Sequence, residues 1–239
     1  MTRAFFVTGT DTDAGKTVVA AGLLAAARRR GLSAAAGKPV ASGCTRTPHG
    51  LLNDDALALQ RQCHPGLAYE TVNPVALEPA IAPHIAAREA GLEPTVSALA
   101  APMRTLLARQ ADFTLIEGAG GWRVPLNGHE SLSGLARALA LPVVLVVGVR
   151  LGAINHARLT LEAIERDGLR VAGWVACVIA GETARLAENL ATLKHWLGRE
   201  RDPARGRVPC LGVVPRLADP APERVADHLD INALMEERR

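Results

Sequence analysis

Two kinds of stretch alternate along the chain: short runs rich in β-branched and aromatic residues, and longer stretches of alanine and leucine broken by charge. The first run, Phe5-Phe6-Val7, breaks into the polar loop Thr8-Gly9-Thr10-Asp11-Thr12-Asp13-Ala14 and ends in Gly15-Lys16-Thr17. Residues 18–30 are alanine- and leucine-rich without proline, which predicts a helix opened by Lys16 and Thr17 and stopped at Gly31. A second strand is predicted over 33–40, a helix over 96–110, and a strand over 112–117 that runs into Gly118-Ala119-Gly120-Gly121. Residues 142–148 are nearly unbroken valine and leucine, the pattern of a strand buried on both faces. A helix from Gly152 through Arg166, a strand over 171–179, a helix over 182–198, a polar loop over 199–207 and a last strand over 208–214 complete the series. Strand and helix in alternation predict an α/β fold with a doubly wound, mostly parallel sheet flanked by helices.

Two segments stand apart from this alternation. Asn53-Asp54-Asp55 precedes the helical run 56–60, a start signal in which one acidic residue caps the helix and the other is spare. Residues 64–95 hold Pro65, Pro74, Pro79, Pro83 and Pro94, too many for regular helix or central strand, which predicts a long ordered excursion lying over the site. His84 lies within it and is read as a structural hydrogen-bonding residue.

The chemistry concentrates where strands end. Small and polar residues after the first strand, glycines at both ends and a helix directly behind make a phosphate-binding loop, because successive N–H groups can turn inward around an anion. Gly9 and Gly15 enclose five residues where the usual pattern has four. Lys16 would reach the β- and γ-phosphates of a nucleotide, and the Thr17 hydroxyl would enter the shell of a Mg²⁺. Lys38 and Ser42 emerge at the end of the second strand, beside that loop, where a second ammonium can offset charge developing in phosphoryl transfer. Glu117, at a strand end and followed by small residues, is placed as a second metal carboxylate. The helix start at Gly152-Ala153-Ile154-Asn155 is another candidate anion site.

Composition narrows the partners. With 239 residues, 49% of them hydrophobic, the chain is long enough for one large domain, taken as 1–239. A net charge of +3 and no basic run longer than Arg28-Arg29-Arg30 argue against nucleic acid or an anionic membrane. Only three lysines stand against twenty-four arginines, and two of them, Lys16 and Lys38, fall in the functional stretches. There a compact ammonium is wanted that arginine cannot replace. Cys44, Cys63, Cys177 and Cys210 show no CxxC spacing, so neither a zinc site nor a disulfide framework is indicated. Without a leader-like or membrane-length apolar run, a cytoplasmic protein is expected.

Taken together, these motifs resemble the dethiobiotin synthetase family. The likeness is carried by Val7-Thr8-Gly9-Thr10-Asp11-Thr12 with Gly15-Lys16-Thr17, Lys38-Pro39-Val40-Ala41-Ser42-Gly43, Asp55-Ala56-Leu57-Ala58-Leu59-Gln60, Val72-Asn73-Pro74, Glu117-Gly118-Ala119-Gly120-Gly121-Trp122, and Gly152 with Ile154-Asn155-His156-Ala157. The resemblance implies a P-loop nucleoside triphosphate hydrolase fold and an ATP- and Mg²⁺-dependent ligase that joins CO₂ to 7,8-diaminononanoate and closes the cyclic urea. It implies Lys16, Lys38 and Thr12 as catalytic residues. The nucleotide would be held by Asp13, Ala14, Gly15, Lys16, Thr17 and Val18, by Asp55, Glu117, Gly118, Ala119 and Gly120, and around the base by Pro215, Arg216 and Leu217. Thr17, Asp55 and Glu117 would hold the metal, and Thr12, Lys38 and Ser42 the diamine or its carbamate. Gly152, Ala153, Ile154 and Asn155 would bind the substrate's distant carboxylate from a neighbouring subunit, which implies a homodimer.

The chain departs from the family pattern at Asp13, where Glu is frequent, and at Cys177-Val178, where Asn-Asp is frequent and the amide reads adenine. Base recognition is then expected to rest on backbone near Pro215-Arg216-Leu217, with several nucleoside triphosphates accepted. A P-loop ligase for another amine shares the same loop. A partitioning-type ATPase switch would usually carry another lysine early in the loop, and Thr10 to Ala14 contains none.

Overall fold

The computed structural model describes residues 3–198 and 207–236. β1 (Arg3–Gly9) leads into α1 (Lys16–Arg29) and β2 (Ala34–Gly37). Next come β3 (Val40–Ala41), a hairpin of β4 (Thr45–Thr47) and β5 (Gly50–Leu52), and α2 (Asp54–Gln62). After these the chain forms α3 (Tyr69–Val72), β6 (Val75–Ala76) and α4 (Pro83–Glu89). The second half runs α5 (Val96–Leu107), β7 (Phe113–Glu117), α6 (Leu132–Leu139), β8 (Val143–Val149), α7 (Ala153–Arg166), β9 (Val171–Val178) and α8 (Leu186–Leu197). It closes with β10 (Cys210–Val214), α9 (Pro222–Ala226) and α10 (Asn232–Met235).

Six strands form one sheet in the order β10-β9-β8-β1-β7-β2, every neighbouring pair parallel. This is the doubly wound α/β arrangement that the alternation predicts. β1 lies between β7 and β8, so the chain winds to one side of it through β2 and β7 and to the other through β8, β9 and β10. That reversal opens a crevice beyond the carboxyl end of β1, where ligands bind in such sheets. All seven residues of β8 are buried, as its unbroken apolar sequence requires.

Strand alternation sends Phe5 and Phe6 to opposite faces. Phe6 packs with Met103, Leu106, Leu135 and Leu161 under α5, α6 and α7. Phe5 packs with Leu23, Leu24, Leu59 and Val225 under α1, α2 and α9. Each fully buried leucine contributes about 2 kcal/mol relative to exposure, so the sheet is clamped from both sides.

Several elements differ from expectation. The strand expected over 33–40 ends at Gly37, because Pro39 cannot donate to a ladder and Lys38 N donates instead to Val72 O at 2.7 Å. Val40–Ala41 then pairs with Val75–Ala76 in a separate two-stranded sheet. The helix cap at 53–55 is Asn53, whose Oδ1 accepts from Ala56 N at 3.2 Å, so no acidic residue is spent on capping. The proline-rich excursion contains α3, β6 and α4. His84 Nδ1 is buried without a partner, contrary to the hydrogen-bonding role expected of it. The helix over 182–198 starts only at Leu186, and the loop expected over 199–207 lies outside the described residues except for Arg207. The β4–β5 hairpin, α6, α9 and α10 were not anticipated, although apolar spacing over 132–139 and Pro222 at a helix start were signals for two of them.

Candidate active site

The loop between β1 and α1 has the conformation of an anion cradle. Asp13 (φ 56°) and Gly15 (φ 87°) both adopt the left-handed region, which turns successive N–H groups to one side. Among residues with a side chain, Asp enters that region more readily than most, which gives Asp13 a local reason to be there. Gly15 is required twice, since a Cβ would also lie 2.4 Å from Cys177 Sγ. Val19 N is the first α1 donor bonded back into the loop, to Gly15 O at 3.0 Å. The helical N–H groups before it have no intrahelical acceptor, so they and the positive end of α1 face an anion. Lys16 is buried and its Nζ donates to Asp11 O at 3.2 Å across the loop. Burial pushes its ammonium below the usual lysine range, with Glu117 opposing the shift and Lys38 adding to it.

Behind the loop lies a compact array of charge. Glu117 ends β7 in register with Val7 of β1, and its side chain is fully buried. Its Oε1 accepts from Thr17 Oγ1 at 2.8 Å and from Lys38 Nζ at 2.6 Å, while Oε2 is buried with no partner. Lys38 Nζ also donates to Asp55 Oδ2 at 3.0 Å. Burial alone would lower the Lys38 pKa, but Glu117 and Asp55 outweigh it and hold the ammonium above its usual range. Burial likewise opposes ionisation of Asp55, and Lys38 overrides it, leaving that carboxyl below its usual range. Among the described residues no three His, Cys, Asp or Glu side chains converge on a metal cage. Two carboxylates, one with an unclaimed oxygen, and a threonine hydroxyl instead suit a hard cation that takes its other ligands from phosphates and water.

The excursion positions Lys38 from below. Asn73 is buried and its Nδ2 donates to Lys38 O at 2.7 Å and Val75 O at 3.1 Å, while Tyr69 OH donates to its Oδ1 at 3.0 Å. Asn53 Nδ2 holds Ser42 O at 3.2 Å. The sequence marks Asn73 only through the resemblance; its clamp on the Lys38 backbone is a tertiary fact.

A cavity of about 1010 Å³ opens over this array. Of the residues proposed from the sequence, Thr12, Asp13, Gly15, Lys16, Thr17, Val18, Lys38, Ser42, Asp55, Ala119, Gly120, Pro215, Arg216 and Leu217 all line it. Glu117 sits beneath its floor, and Ala14 and Gly118 are packed behind the lining. Gly152, Ala153, Ile154 and Asn155 are elsewhere: the chain does not bring the start of α7 into its own cavity, and Leu151 beside it is fully exposed. The excursion expected over the site does reach it, and Arg123 is a contributor that the sequence did not mark. Ala80, Ile81, Ala82 and Pro83 of the excursion form one wall. Arg123 enters another, held by Asp167 at 2.7 Å and by Ser133 at 3.3 Å.

A family model described as an AAA domain matches residues 3–224. The chain is 64% identical over 231 residues to the ATP-dependent dethiobiotin synthetase BioD of Pseudomonas paraeruginosa, covering 97% of each chain. The enzyme of that name from Cellvibrio japonicus is 59% identical, covering 98% of each. The chain belongs to the dethiobiotin synthetase family. As a member of it, the protein is an ATP-dependent ligase of biotin biosynthesis. The ParA family ATPase of Chlorobium tepidum superposes with a TM-score of 0.53 over 98% of this chain and 96% of its own, at 12% identity. That likeness shows the P-loop fold alone and lends the partitioning-switch alternative no functional support.

Proposed function

We propose that the cavity over β1 is where this dethiobiotin synthetase carboxylates 7,8-diaminononanoate, with the single 1–239 domain supplying one active site. The observation that carries the reading is the buried Lys38 ammonium held between Glu117 and Asp55, directly beside the phosphate loop. One amine of the substrate adds to CO₂ and loses a proton to give a carbamate, whose oxygen attacks the γ-phosphorus of ATP as ADP departs. The second amine then attacks the carbonyl carbon of that mixed anhydride, loses a proton and expels phosphate. The loop N–H groups and Lys16 bind the phosphates and stabilise charge on the transferring group. Lys38 orients the carbamate for in-line attack, with Thr12 and Ser42 placing the diamine by hydrogen bonds. Thr17, Asp55 and Glu117 would hold Mg²⁺, which would supply positive charge to offset that of the nucleotide phosphates. Gly152 to Asn155 would serve the cavity of a second copy, a role that the exposed Gly152 and Asn155 leave open to them. The cysteines, none in a metal or disulfide pair, suit the reduced cytoplasm.

Phosphate release measured with MgATP, bicarbonate and the diamine, omitting each in turn and replacing magnesium by chelator, tests the whole reading. Release is expected only when all are present, together with a cyclic urea of dethiobiotin mass. Release without the diamine would leave the nucleotide site standing and remove the substrate.

One wall of the cavity is formed by Cys177, Val178, Ile179, Val214, Pro215, Leu217 and Pro220, with Arg216 the charged side chain among them. Burial pushes the Cys177 thiol up to about 11, so it is neutral there. Such a wall offers a base stacking surface and few hydrogen bonds, and discrimination without polar partners is weak. Michaelis constants for ATP, CTP and GTP are expected to fall within roughly tenfold of one another; a preference for ATP of several hundredfold would sink the idea.

A further inference from the structure

Lys38 is gripped more closely than a residue that only touches substrate needs to be. Its side chain is 5% exposed, and both carboxylates that hold it belong to the donor set proposed above for the divalent cation. The third member of that set, the Thr17 hydroxyl, donates to the same Glu117 oxygen that Lys38 takes. An ammonium and a divalent cation therefore make the same claim on the same atoms. Lys16 is close enough for its charge to act on Lys38 as well. With the metal added, three cationic groups would crowd two carboxylates, one of them fully buried, in a setting where Coulomb terms are large.

We infer that Lys38 and the divalent cation compete for Glu117 and Asp55, and that metal binding releases the Lys38 ammonium into the cavity, where the carbamate is phosphorylated. This rests on the metal site proposed above. The exchange keeps every buried charge compensated: the carboxylates pass from ammonium to metal, and the freed ammonium passes to the anionic carbamate and γ-phosphate. It also makes the metal bind well only when nucleotide phosphates bring their own charge. Lys38 thereby acts as a latch as well as a catalytic residue.

The test is binding of Mn²⁺ alone, with free Mn²⁺ read by electron paramagnetic resonance. Lys38→Met is expected to bind Mn²⁺ at least about tenfold more tightly than the unsubstituted protein, because the competitor is gone. Lys38→Arg keeps the competing charge and is expected to stay within about twofold. Equal or weaker binding by Lys38→Met would overturn the inference, since a lysine that merely braces the carboxylates would weaken the metal when lost. Adding Glu117→Gln to Lys38→Met distinguishes the two levels: if the double variant keeps the tighter binding, the metal site itself is misplaced. Should Lys38→Met fail to fold, the three lysines of the chain allow a second readout on the unsubstituted protein. With ¹⁵Nζ-labelled lysine, the Lys38 ammonium resonance is expected to shift on addition of Mg²⁺ while Lys194 stays put. An unmoved Lys38 signal at saturating Mg²⁺ would overturn the inference equally.

Discussion

Replacing Lys38 by alanine is expected to lower kcat by roughly 10²–10³-fold while changing the apparent affinity for ATP only a few-fold. In the proposed site the loop N–H groups, the start of α1 and Lys16 grip the nucleotide, and none of these is held in place by the Lys38 side chain. What Lys38 supplies is charge beside the atoms being joined, which matters most when the γ-phosphoryl group is in transit. Steady-state kinetics with saturating diamine and bicarbonate, paired with equilibrium binding of a non-hydrolysable ATP analogue, separates the two effects. A parallel fall in both would make Lys38 a binding residue and no more.

Glu117→Leu is expected to lower folding stability by about 3 kcal/mol, because it strands an ammonium whose side chain is 5% exposed with only the half-exposed Asp55 for company. For a chain of this size that corresponds to a fall in Tm of roughly 6–12 °C. Lys38→Met combined with Glu117→Leu is expected to recover most of the loss, since two well-packed apolar side chains leave no buried charge to compensate. Calorimetry on the two single variants and the double one completes the cycle. A double variant no more stable than Glu117→Leu would show that packing around β7, and not the ion pair, was lost. Activity is expected to vanish in both Glu117 variants whatever their stability.

The parts of the site that local chemistry dictates were legible in the sequence. A strand, a glycine-bounded loop and Lys16-Thr17 at a helix start must make an anion cradle, and even its extra residue finds an account in Asp13 at a left-handed turn. Glu117 could be placed because β7 is short, apolar and followed by glycines. Partnerships were not legible. Lys38 and Glu117 lie 79 residues apart, and Arg123 and Asp167 lie 44 apart, so nothing in either local pattern announces the pairing. The break between β2 and β3 lies at Lys38-Pro39, and the sequence alone does not show that Val40–Ala41 pairs with Val75–Ala76 in a separate sheet. Asn53 shows the limit from the other side: three adjacent residues could each have capped α2, and only its backbone and side-chain geometry decides among them.

The clamp of Asn73 on the Lys38 carbonyl bears on how such an enzyme could be re-engineered. The same segment that fixes Lys38 continues through Leu77, bonded to Ala41 and Cys44, and through Pro79, bonded to Gly43, into the Ala80–Pro83 wall of the cavity. Under the proposed function, substrate shape and catalytic alignment therefore hang from one continuous strap. A graft that widens the wall for a longer diamine shifts the lysine unless the strap is kept through Pro79, so in this scaffold substrate range and turnover are inherited as a single trait.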